Sequence, residues 1–86
     1  MGRITLDCRD KLNKSLSTIL DTRDKRYMFL RMEFPRTISF INLEGAANYA
    51  SHEIIEEFQK RGMLGSLIAC LNSKLDTNLN LETQDD

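Results

Sequence analysis

Apolar residues recur at three- and four-residue steps along four stretches of the chain, and this spacing predicts four α-helices. We expect them over residues 5–20, 23–34 and 46–61, and from residue 64 to between residues 76 and 78. The fourth has the narrowest apolar stripe, made of Leu64, Leu67, Ile68, Leu71 and Leu75. Three or more amphipathic helices in a short chain favour a helical bundle, in which the apolar stripes face one another.

The second predicted helix has apolar residues on nearly all sides, which indicates a buried helix at the centre of a bundle. Thr22 is its predicted N-cap, and Pro35 ends it. Apolar and polar side chains alternate in residues 36–41, as they do in a short strand. Because the sequence predicts no second strand for it to pair with, a short helical or 3₁₀ turn is favoured. Short connections favour antiparallel neighbours. We therefore expect an all-α fold, a compact antiparallel bundle of five or six helices.

The length of 86 residues, with 41% hydrophobic and 29% charged residues, is that of one ordinary globular domain. We place this domain at residues 1–79 and interpret the polar, acidic residues 80–86 as a tail or the start of a linker. No apolar run approaches the ~18 residues of a membrane helix, and the first residues lack the apolar core of a signal peptide. We expect a cytoplasmic protein with no membrane partner.

The formal net charge of -1 hides an asymmetry along the chain. Residues 1–43 carry nine basic and five acidic side chains, whereas residues 44–86 carry three basic and eight acidic ones. Such a division can steer association with a partner of opposite sign, including a second copy of the chain. The alternative is that the charges serve only as the solvated faces of amphipathic helices.

Candidate chemistry is sparse, and we predict neither an enzyme nor a metal or cofactor site. Cys8 and Cys70 are far apart in sequence and fall on or beside apolar faces, as reduced structural cysteines do. His52 has neighbours that point in other directions along a helix, so they cannot form a catalytic relay with it. Three glutamates of the third helix lie on a solvated face with no evident pocket, and the glycines match no phosphate-binding fingerprint.

One basic cluster, within residues 23–31, could contact nucleic acid. Aspartates interrupt this cluster, and the isoelectric point of the chain is about 5.8. A dedicated DNA- or RNA-binding domain is usually strongly basic. We therefore expect no nucleic-acid partner.

Four stretches combine into a recognisable order. Residues 16–23 are a helix end followed by an Asp-rich turn, and residues 26–30 are an Arg-x-x-hydrophobic-Leu helix. In residues 38–50 a short apolar turn precedes a small-residue helix start, and residues 58–68 are similar to a Gly-x-Leu-x-x-Leu-Leu joint between helices. This order resembles the effector-associated domains, also called bacterial death-like domains. The chain departs from that family at residues 60–61, where a basic pair stands in place of the usual aromatic residue.

The resemblance implies a death-fold-like helical adaptor without enzymatic activity. It would recruit or assemble effector proteins, such as a protease or NTPase module, in bacterial defence or signalling by pairing with another death-like domain or with itself. A contact between unlike surfaces suits this role. The predicted basic surface is Arg23, Lys25, Arg26 and Arg31, and the predicted acidic surface is Glu53, Glu56 and Glu57. The alternative is a small helical regulatory protein, either antitoxin-like or nucleic-acid-binding.

Overall fold

Four α-helices form where the apolar stripes predict them, and the all-α fold class is confirmed. The computed structural model describes residues 3–74 and 83–84. The helices are α1 (Leu6–Ile19), α2 (Arg23–Glu33), α3 (Ala47–Lys60) and α4 (Leu64–Lys74), with a 3₁₀ helix (Ile38–Phe40) between α2 and α3. A two-residue strand β1 (Arg3–Ile4) pairs antiparallel with β2 (Thr83–Gln84). The radius of gyration is 11.9 Å, and a compact domain of this length has about 12 Å.

The predicted number of five or six helices was too high for the described residues, which contain four α-helices and one 3₁₀ helix. Between α2 and α3 the chain makes a single 3₁₀ turn, which confirms the favoured alternative to a strand. The β1–β2 pair was not predicted, because two residues are too few for an alternating pattern. Leu75 and the predicted end of the fourth helix lie outside the described residues. The domain boundary at residue 79 stays a prediction.

Helix ends follow local sequence signals. Thr5 and Thr22 begin α1 and α2, and each side-chain oxygen accepts a hydrogen bond from a backbone N–H three residues later, at 3.1 and 3.2 Å. The predicted N-cap Thr22 is therefore confirmed. At the end of α3, Gly62 has a φ of 69°, in the left-handed region that glycine adopts without strain. The N–H of Met63 reaches back to the carbonyl of Phe58 at 2.8 Å, which completes a Schellman motif.

The core lies where all four helices and the loop before α3 meet. Its members with the least exposure are Leu12, Leu16, Leu30, Leu43, Ile54, Ile55, Phe58, Leu67 and Leu71. The ring of Phe34, after α2, lies perpendicular to the ring of Phe58, with 4.9 Å between the ring centroids. Polar contacts also join α1 to α3: Ser17 donates to the hydroxyl of Ser51 at 3.2 Å, and no described buried side-chain N or O atom lacks a partner. The helices are thus held in one arrangement, with their outer faces left to solvent.

Candidate interaction surfaces

The outer side of α2 exposes two large apolar side chains. Met28 is 64% exposed and Met32, one turn further on, is 73% exposed. The prediction that α2 is buried on all sides was wrong, because only one side of the helix faces the core, through Arg26, Phe29 and Leu30. In a domain of this size the remaining helices cover one face of α2 and leave the other in solvent.

Two open grooves run along this outer side of α2 and share both methionines. One encloses about 520 Å³, and its walls are Arg23, Asp24, Tyr27, Met28, Arg31 and Met32. The other encloses about 460 Å³, is mostly apolar, and is lined by Ile19, Leu20, Lys25, Met28, Phe29, Met32, Glu33 and Lys74. The methionines therefore form a ridge with a cation-bearing groove on each side.

Three of the four predicted basic residues are exposed on α2, in different electrostatic settings. Arg23 forms an ion pair with Glu44, which raises the pKa of the arginine, and its guanidinium lies 5.2 Å from the Tyr27 ring centroid. Lys25 Nζ donates to a carboxylate oxygen of Asp21 at 3.0 Å, and this hydrogen bond lowers the pKa of Asp21. Arg31 lines the first groove and has no ion-pair partner among the described residues. Arg31 is thus the cation of this set that is left for an outside partner.

Arg26 does not belong to the basic surface, and its assignment there was wrong. The residue is 2% exposed, and its guanidinium donates to four backbone carbonyls. Nε bonds to Leu20 at 2.9 Å, one Nη to Leu43 at 2.9 Å and Gly45 at 3.3 Å, and the other Nη to Asp21 at 3.2 Å. Carbonyls beyond the last turn of a helix lack helical partners, and the fork of arginine donors satisfies several of them at once.

Two of the three residues of the predicted acidic surface already have partners within the chain. Glu56 is ion-paired with Arg9 of α1, and Glu57 with Arg61, four residues later at the C-cap of α3. Glu53 makes no ion pair with any described residue. The three glutamates therefore do not form one unpaired patch, and Glu53 is the member that can engage a partner without breaking an internal contact.

Tyr49 stands one turn before Glu53 on α3 and was not singled out in the sequence. It is 53% exposed, among the most exposed large hydrophobic residues of the described chain. Because residues four apart lie on the same face of a helix, Tyr49 and Glu53 form an aromatic and acidic pair on the outer side of α3. The position of Tyr49 one helical turn before Glu53 was the sequence signal that could have identified it.

The charge asymmetry along the sequence is partly neutralised in space. The ion pairs Arg9–Glu56 and Arg23–Glu44 each join a cation from the first half of the chain to a carboxylate from the second. Such pairs form because α1 packs along α3 and the loop before α3 lies near the start of α2. These two ion pairs reduce, among the described residues, the predicted opposition of two charged halves.

In the described part of the chain, the other candidate reactive residues do not come together in a site. Neither Cys8, which is buried, nor Cys70, which is half-buried, forms a disulfide, and burial raises the pKa of the Cys70 thiol. Across residues 3–74 and 83–84, no three His, Cys, Asp or Glu residues are grouped so that they could hold a metal ion. Within the same ranges, no helix has the length and apolar character needed to cross a membrane.

No family model, curated protein or solved structure matches this chain. The resemblance to bacterial death-like domains therefore stays a prediction from sequence. The features of the described chain that bear on function are its two outer faces, the methionine ridge of α2 and the Tyr49 and Glu53 face of α3.

Proposed function

We propose that this protein is a non-enzymatic interaction module, a death-like adaptor that assembles with itself or with a similar helical domain. In this role it recruits effector proteins, such as a protease or an NTPase module, in bacterial defence or signalling. Its working parts are surfaces rather than a catalytic site. The proposal follows the family resemblance in residues 12–75 and the distribution of exposed side chains.

The observation that carries the proposal is the methionine ridge of α2. Single exposed apolar residues are ordinary on a soluble protein, but neighbouring ones between two grooves are typical of an interaction site. Met28 and Met32 are both more than half exposed and one turn apart. Methionine side chains adapt their shape to a partner, which makes them frequent at protein-binding surfaces.

Electrostatics around the ridge favour a partner of mixed character. Arg31 provides an unpaired cation beside the methionines, whereas Arg23 and Lys25 are already engaged by carboxylates of the same chain. A partner that presents an apolar group next to a carboxylate would bury the ridge and pair with the free cation. A strongly anionic polymer finds fewer unpaired cations here than the sequence cluster suggested.

The proposal is tested by measuring the molar mass of the 86-residue chain by light scattering over a range of concentrations. The measurement is made at about 0.1 M and about 1 M salt, which changes the screening length roughly threefold. We expect the mass to rise with concentration at low salt. The same chain is co-expressed with helical domains encoded beside it, and we expect co-purification. A protein that is monomeric throughout and binds none of these domains would contradict the proposal.

The alternative, a small helical regulator that is antitoxin-like or binds nucleic acid, is favoured by one observation. Arg23 and Arg31 lie two turns apart on α2, with the Tyr27 ring between them in the same groove. Retention of the monomer on DNA or RNA that falls steeply with salt would support this alternative. Replacing Arg31 with Met should then weaken retention without changing the molar mass.

A further inference from the structure

We infer that two copies of the chain bind head to tail, with the Met28, Met32 and Arg31 face of α2 seated on the Tyr49 and Glu53 face of α3 in the next copy. This inference rests on the proposed function and names the partner and the contact residues. It differs from a simple meeting of the predicted basic and acidic surfaces, because five of their seven residues already have hydrogen-bond or ion-pair partners inside the chain.

Most of the residues predicted for the contact already have a partner within the chain. Of the seven residues predicted for the contact, only Arg31 and Glu53 have no hydrogen bond or ion pair from their side chains to other described residues. A contact that recruits paired residues must first break an internal pair. A contact between Arg31 and Glu53 gains a charge-assisted hydrogen bond at no such cost.

Arg31 and Glu53 each have an exposed apolar or aromatic neighbour. Arg31 lies in one groove with Met28 and Met32, and Glu53 lies one helical turn from Tyr49. Sulfur atoms of methionine pack favourably against aromatic rings, with a preferred separation of about 5 Å. The ring of Tyr49 therefore matches the ridge in chemistry, as the carboxylate of Glu53 matches the guanidinium.

The spacing between the apolar group and the charge is also similar on the two faces. Helical residues three or four positions apart have Cβ atoms about 5–6 Å from each other. Met28 and Arg31 are three apart, and Tyr49 and Glu53 are four apart, so both faces present an apolar group and a charge at similar separation. Methionine is flexible enough to absorb the remaining difference.

The geometry determines the kind of assembly. The two faces lie on different helices of the same copy, so one copy can use both at once with two different neighbours. When the two neighbours are different copies, such a contact is heterologous and extends into a ring or an open helical filament, whereas in a two-fold dimer the same two copies would exchange both contacts. We therefore expect mass to grow beyond that of a dimer as concentration rises.

The test is a charge exchange in the full 86-residue chain. Arg31→Glu places a carboxylate opposite Glu53, and Glu53→Arg places a guanidinium opposite Arg31. We expect each variant alone to lose self-association by at least about tenfold in Kd, because like charges then meet at the contact. Mixing the two variants in equal amounts should restore it, since every contact in the mixture joins opposite charges. Sedimentation velocity and light scattering measure both results.

Matched controls separate this pairing from a general effect of charge. Lys11→Glu and Asp10→Arg make the same charge changes at exposed positions of α1, and they should leave self-association at the wild-type level. Circular dichroism and thermal melting check that each variant folds. Because Arg31 has no partner within the described chain and Glu53 makes no ion pair there, we expect wild-type helicity from both contact variants.

The outcomes are distinguishable. If the wild type associates and both charge reversals leave it unchanged, the pairing is overturned while the proposed function stands. If each reversal weakens association but the mixture does not recover it, Arg31 and Glu53 do not face each other, and the pairing is again overturned. If the wild type remains monomeric, the head-to-tail contact fails, and the proposed function then depends on co-purification with neighbouring helical domains.

Discussion

The inner and outer sides of α2 carry similar residues in opposite environments. Arg26 is buried and bound to four carbonyls, whereas Arg31, five residues later, is exposed and has no ion-pair partner among the described residues. Leu30 is fully buried, whereas Met28 is mostly exposed. Residue type therefore does not decide which side of this helix faces the core. Contacts from the rest of the chain decide it, and they leave the other side available for binding.

The inner side serves the fold through contacts that are distant in sequence. Arg26 binds the loop that follows the 3₁₀ helix, 17 and 19 residues further along the chain. It also binds the end of α1 through the carbonyl of Leu20. One side chain thus ties three segments together. Changes on this side should lower stability, and changes on the outer side should alter association instead.

The largest effect should come from Arg26→Met, which removes all four hydrogen bonds while keeping an apolar side chain. We expect the free energy of unfolding to fall by about 4 kcal/mol, because four backbone carbonyls lose a charged donor. Urea denaturation measures this loss. The matched control, Arg31→Met on the same helix, should change stability by no more than about 0.5 kcal/mol. Equal losses in both variants would contradict the contrast between the two sides.

The second effect should come from Leu30→Ala, which leaves a cavity in the core. We expect a loss of about 3 kcal/mol in the free energy of unfolding. Met28→Ala removes an apolar side chain from the outer side of the same helix, and its effect should stay within about 0.5 kcal/mol. Denaturation of both variants in parallel provides the comparison. A loss above about 2 kcal/mol for Met28→Ala would indicate that the ridge packs within the chain.

A smaller effect concerns the first turns of α2 and α3. Thr22→Ala should cost about 1 kcal/mol, because the side chain of Thr22 accepts a hydrogen bond from the Lys25 N–H. The N-cap of α3 is Ala46, whose side chain cannot accept one, so Ala46→Ser should add about 0.5 kcal/mol of stability. Thermal melting should therefore shift in opposite directions. Shifts of the same sign would mean that tertiary contacts, not caps, govern these helix starts.

The smallest effect is a pH dependence of stability at the start of α2, where Asp21 precedes the N-cap Thr22. The hydrogen bond from Lys25 lowers the pKa of Asp21, so the carboxylate is favoured in the folded state. The stabilisation is present above the pKa of Asp21 in the unfolded chain and is lost as the pH falls through its folded value. Lys25→Met should raise the pKa of Asp21 towards its usual range in an NMR titration of the carboxyl carbon. An unchanged pKa would show that Lys25 is not its cause.

Local signals explain the parts of the fold that could be predicted. The threonine caps and the glycine at the end of α3 act over three to five residues, so they are legible in sequence. The apolar stripes are equally local, and they placed four α-helices. The number of helices was overestimated because a short apolar segment between α2 and α3 has no signal that separates one 3₁₀ turn from a further helix.

The candidate surfaces were predictable only in part. Sequence marked the cations of α2 and the glutamates of α3, and three of those cations are exposed. It did not show that Arg26 is buried, nor that Glu56 is taken by Arg9. It also passed over Met28, Met32 and Tyr49, since an apolar residue on an amphipathic helix is ordinarily assigned to the core.

The amphipathic helices, and the residues at which most of them begin and end, follow from local sequence, because spacing and capping act between near neighbours. Tertiary packing determines which charged side chains are paired within the molecule and which apolar side chains are exposed. Those outcomes depend on side chains and carbonyls brought together from 17 to 50 residues apart. Arg31 and Glu53 are important for this reason: of the residues predicted for the two surfaces, they are the ones whose side chains have no hydrogen bond or ion pair to another described residue.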